Sequence, residues 1–94
     1  MIETASIFAE FVHELGDDFV IDAVNDLGVS FYYHNRLDLK FNIVLPPMYG
    51  VEDGKIGFAV VKHTIPYLSK QYSFEDPTML DDITKRISAW IYNG

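Results

Sequence analysis

The sequence predicts an α+β domain: a three-stranded antiparallel β-meander with an N-terminal helix, or two, and a C-terminal helix packed on one face. Three observations carry this expectation. Apolar residues Ile7, Phe8, Phe11, Val12 and Leu15 recur at helical spacing near the start. Leu37, Leu39, Phe41, Ile43 and Leu45 alternate almost without fault with Asp38, Lys40, Asn42 and Val44, the signature of a half-buried strand. Near the end, Asp76-Pro77 stands before a helical stripe of Leu80, Ile83, Ile87, Trp90 and Ile91.

The first helix carries Glu3, Glu10 and Glu14 on its outer side. Thr4 or Ser6 supplies its cap, and Gly16 its stop, because glycine enters the left-handed region at no steric cost. Asp18 to Leu27 is ambiguous. Phe19-Val20-Ile21 favours a strand, yet Asp17 suits an N-cap, Val20, Val24 and Leu27 share one helical stripe, and Gly28 suits a stop. A short second helix is expected there, with Asp22 and Asp26 one turn apart.

The middle is expected to be β. Val29, Phe31 and Tyr33 alternate with Ser30, Tyr32 and His34, Asn35-Arg36 supplies a turn, and the Leu37–Leu45 strand ends at Pro46-Pro47. The stretch Met48 to Gly54 is a loop. Lys55 to His63 is the third strand, and its Gly57 and Ala59 leave a flat face on which another element can pack closely. Thr64-Ile65-Pro66 is expected to open a short helix through Lys70. In topology alone the order α, α, β, β, β, α resembles that of double-stranded-RNA-binding domains. The basic helix start of those modules is replaced here by acidic residues from Asp76 to Asp82.

At 94 residues the chain has room for one core, and with 15% aromatic residues it can fill that core with few side chains. It has no cysteine, so disulfides, thiolate metal sites and cysteine nucleophiles are excluded. No signal-peptide pattern and no long apolar stretch is present, so the expectation is a cytoplasmic protein without a membrane role.

Charge is the most informative feature. The net charge is −7, and Met1 to Asn35 holds seven acids and no Lys or Arg; from Arg36 onward seven acids balance seven cations. Nucleic-acid phosphates would be repelled by such a surface, so direct nucleic-acid binding is not expected. A basic protein partner, such as a nucleic-acid-binding protein, would be attracted. The partner-binding candidates are Glu10, Glu14, Asp17, Asp18, Asp22 and Asp26. Carboxylates on successive helical turns stand about 6 Å apart, close to the spacing of phosphates along a nucleic-acid strand. Met48 and Tyr49 join them, because their loop is longer than a hairpin needs.

Other chemistries have weaker support. His13, His34 and His63 have no metal-ligand spacing, so neither metal nor cofactor is expected. No glycine-rich phosphate loop is present. The expectation is a non-catalytic interaction module. The alternatives are a homo-oligomeric structural protein, a homodimer through the tyrosines or the Trp90 helix, and a small enzyme using His34 or His63 with a carboxylate.

Overall fold

A computed structural model of the chain describes residues 2–93, with side chains from residue 8 onward. The expected cap at Thr4 or Ser6, the packing of Ile7 and the outer position of Glu3 therefore lie outside the described side chains. The elements in chain order are α1 (Ile2–Glu14), β1 (Phe19–Asn25), β2 (Gly28–Tyr33), β3 (Arg36–Val44), β4 (Lys55–Lys62), β5 (Ile65–Ser73) and α2 (Met79–Asn93). The strands form one antiparallel sheet in the order β1-β2-β3-β4-β5. The class is α+β, as expected, but the meander has five strands, not three.

Both added strands correct a helical expectation. In Phe19–Asn25 the β-branched and aromatic residues win over the Asp17 cap and the Val20/Val24/Leu27 stripe. Pairing with β2 places Phe19 opposite Tyr33 and Ile21 opposite Phe31, on the inward face. Their rings stack edge to face, with Phe19 and Phe31 centroids 6.1 Å apart. A helix would have turned half of these apolar groups to solvent. In Ile65–Ser73, Tyr67, Leu68 and Lys70 pair with Val60, Ala59 and Phe58, which a helix through Lys70 would not allow, and Tyr72 pairs with Ile56 and is buried. The joining turn is His63-Thr64, with φ of 52° and 69°. That double left-handed geometry matches the twist of a two-residue hairpin, although neither residue favours it. The β2–β3 turn is His34-Asn35 and not Asn35-Arg36, since Tyr33 already pairs with Arg36.

Leu39, Phe41 and Ile43 lie on the central strand β3 and are fully buried. They share one cluster with Phe8 and Val12 of α1, Ile83 and Ile87 of α2, and Phe31, Phe58, Val60 and Tyr72 of the sheet, so both helices cover the same face. Leu37, expected in this row, is 73% exposed, because a register irregularity between β2 and β3 breaks the alternation there. Leu80 is also exposed, and Met79 packs against the core.

The second face of the sheet is not simply solvated. Asn42, Val44 and Ala59 are buried on it. The β3–β4 connection, which contains the cis Pro46-Pro47 bond and a short 3-10 turn at Met48–Gly50, bends back across that face. It seats Val51, 4% exposed, over Gly57, where a β-carbon would collide with the valine side chain. The flat patch at Gly57 is thus used within the chain. Gly28 is likewise required, at φ 145°, because a β-carbon would strike the carbonyl of Ile43.

Polar contacts fix α2 at both ends. Asp82 accepts hydrogen bonds from the Tyr72 hydroxyl (2.5 Å) and Arg86 Nε (2.9 Å), and Arg86 also reaches Ser69 Oγ (3.2 Å). At the far end Arg36 donates to the carbonyl of Ile91 (2.7 Å) while its guanidinium grips Asp38. Before the helix, Asp76 accepts from the Thr78 amide (2.8 Å) and hydroxyl (2.7 Å), so the Asp76-Pro77 signal caps a turn and the helix begins at Met79.

Candidate functional site: an acidic strand end

The antiparallel order decides which connections share an end of the sheet. The β1–β2 turn (26–27), the β3–β4 connection (45–54) and the β5–α2 connection (74–78) all leave the same end. Leu45 N donates to the carbonyl of Leu27 (2.7 Å), which ties the first two segments together, and Glu52 N donates to Gln71 Oε1 on β5 (2.8 Å). These three segments contain Asp26, Glu52, Asp53, Glu75 and Asp76 and no Lys, Arg or His. The cations of the second half of the chain lie on strands and on α2, at Arg36, Lys40, Lys55, Lys62, Lys70, Lys85 and Arg86; Lys55, the first residue of β4, stands at this end, with its Nζ 3.2 Å from Glu52 Oε2. Acids therefore outnumber cations at this end, although the second half of the chain is balanced along the sequence. Four of these five acids fall in the charge-balanced part of the chain, which is why the sequence did not mark them. A signal was present, since every acid-rich break between strands fell at an odd-numbered connection, but reading it required the strand count.

The structure divides the sequence-predicted residues among three places. Glu10 and Glu14 are exposed on α1, and Asp17 and Asp18 are exposed where that helix turns into β1, at the opposite end of the sheet. Asp18 stands beside His34, with Nδ1 3.5 Å from Oδ1 and 3.2 Å from its carbonyl. Asp22 lies on the face away from the helices, 3.1 Å from Lys40 Nζ and accepting from Ser30 Oγ at 3.3 Å. The Lys40 hydrogen bond holds the Asp22 carboxyl below the usual carboxylate range. Asp26, Met48 and Tyr49 belong to the acidic end. The expected one-turn pairing of Asp22 with Asp26 does not exist. On a strand four residues span about 13 Å, not about 6 Å, so the phosphate-spacing argument fails for this pair.

Large apolar side chains are exposed among the acids of this end: Val24 (46%), Leu27 (38%), Tyr49 (36%) and Phe74 (54%). Residues 24–27 line a concavity whose surface is mostly apolar. Tyr49 sits at φ 53° within the 3-10 turn, while Met48 is half-buried.

His34 and His63 occupy separate turns. His63 lines a shallow hollow with Leu37, Asp38, Lys40, Val61 and Thr64, and Asp38 is held below the usual carboxylate range chiefly by its hydrogen bonds to Arg36. Among the described residues no group of three or more His, Asp or Glu could hold a metal ion, and no helix is long and apolar enough to cross a membrane.

Fold and site together define an α+β domain with two helices on one face of a five-stranded antiparallel meander and one end of the sheet rich in carboxylates. No family model, curated protein or solved structure matches the chain.

Proposed function

We propose that this protein is a non-catalytic interaction module that engages a basic surface of a partner protein, such as a nucleic-acid-binding protein. The observation that carries the reading is the acidic strand end, where three connections contain five carboxylates and no Lys or Arg of their own, and Lys55 at the start of β4 pairs with one of them, Glu52, at 3.2 Å. Carboxylates anchored in turns between paired strands are held in place before the partner arrives, which lowers the ordering cost of binding. Their summed field accelerates encounter with a cationic surface and repels nucleic-acid phosphate. Glu10 and Glu14 on α1, with Asp17 just beyond it, extend the acidic surface toward the other end of the sheet.

The sheet edges also bear on the mode of binding. Edge strand β1 is interrupted by a bulge near Asp22, and edge strand β5 by Pro66 and by a bulge between Leu68 and Lys70. Such features blunt strand-to-strand addition. This counts against a homo-oligomer built by extending the sheet and favours docking through side chains.

The test is titration with a fluorescent arginine-rich peptide at increasing salt. Affinity should fall steeply as salt rises. Asp53→Asn with Glu75→Gln should flatten that dependence more than the equal charge change Glu10→Gln with Glu14→Gln. Absence of binding at low salt would remove the proposal.

A further inference from the structure

We infer that the partner segment seated on the acidic end is amphipathic, a cationic stretch that also carries large apolar side chains. The inference rests on the interaction-module reading above and adds the chemistry of the partner. Its starting point is the apolar surface, not the charge. Val24 and Leu27 stand exposed on the β1–β2 flank of this end, and Tyr49 and Phe74 are exposed nearer β5. A purely electrostatic surface would have no use for them, and exposed apolar groups ringed by polar residues mark contact surfaces. The flanks are separated by between three and four interstrand gaps of about 4.8 Å, so roughly 15–20 Å. A segment crossing the strand ends therefore meets apolar groups near both of its ends. Asp26 borders one apolar flank and Glu75 the other, so each apolar anchor has a carboxylate beside it in the chain. Charge complementarity selects the occupant. A second copy of this chain, at net charge −7, would bring like charge to the same end, whereas a cationic segment would not.

The experiment uses the full chain, labelled for amide NMR, and two synthetic peptides of equal length and charge. In one, lysines are interspersed with leucines; in the other, with serines. The leucine peptide should bind about tenfold tighter, a ratio that one well-buried aliphatic contact supplies. Its shifts should map to residues 24–27, to Tyr49 and to Phe74. Leu27→Ser with Phe74→Ser should remove the difference between the peptides and leave serine-peptide affinity unchanged. If that variant does not fold, comparison of the two peptides on the unaltered protein still decides. Equal affinity of the two peptides, or shifts confined to α1, would overturn the inference while leaving the basic-partner reading in place. Failure of both peptides to bind at low salt would end both.

Discussion

Replacing Phe41 by alanine tests the packing logic of the whole domain. Phe41 has no exposed surface, lies on the central strand, and stands with its ring centroid 5.7 Å from that of Phe31 and 6.1 Å from that of Phe58. Truncation removes about 120 Å² of buried apolar surface, which at about 25 cal/mol per Å² amounts to about 3 kcal/mol. Neighbours on three strands cannot all close inward, so a residual void of about 50 Å³ adds about 1 kcal/mol. The sum, about 4 kcal/mol, falls within the usual range for such a truncation and is a large share of the roughly 5–14 kcal/mol expected for a 94-residue domain. The thermal midpoint should fall by about 15–30 °C. Leu37→Ala on the same strand is the control: with that side chain 73% exposed, its cost should stay within about 0.5 kcal/mol. Denaturant and thermal melts followed by circular dichroism measure both. A Phe41→Ala midpoint within a few degrees of the parent, or equal losses in the two variants, would refute the assignment of the core.

Three further outcomes follow from particular contacts. Gly57→Ala should displace Val51 from the second face and cost about 1–3 kcal/mol in a urea melt, with amide shifts concentrated at residues 50–53. Hydrogen bonds from Tyr72 and then Arg86 hold Asp82 down to about 2, below its unfolded value, so its contribution to stability is present above the ordinary carboxylate range and is lost as pH falls toward 2. Asp82→Asn should accordingly lower stability at neutral pH and flatten the acid limb between about pH 4 and pH 2 in a pH-dependent denaturation series. Replacing His63-Thr64 by Asn-Gly should stabilise the fold by about 1 kcal/mol, because the turn requires two left-handed residues and a β-branched threonine resists that conformation; an unchanged or lower melting midpoint would contradict it.

Much of the fold was legible in local pattern. Alternation marked β3 and its buried Leu39, Phe41 and Ile43; helical spacing marked α1 and α2; Gly16, at φ 116°, ended α1 as its position suggested. These features depend on periodicity and on backbone freedom, both of which act within a few residues. Phe19–Asn25 and Ile65–Ser73 were not legible as strands. Each carries competing local signals, and the choice was made by partners distant in sequence, Phe31 and Tyr33 for β1 and Ile56 and Val60 for β5. Edge strands gain their stability from one neighbour, so the neighbour must be known first.

The same division holds for the site. The sequence by itself determined the net charge of −7, the absence of cysteine chemistry, and a first third without cations. It did not show that Asp22 has a cationic neighbour, because Lys40 lies 18 positions later and only sheet pairing brings it within 3.1 Å. Only the tertiary structure gathered Asp26, Glu52, Asp53, Glu75 and Asp76 at one end of the sheet. The physical reason is topological: in an antiparallel meander every second connection emerges on the same side, so acids confined to those connections become neighbours however far apart they lie in the chain.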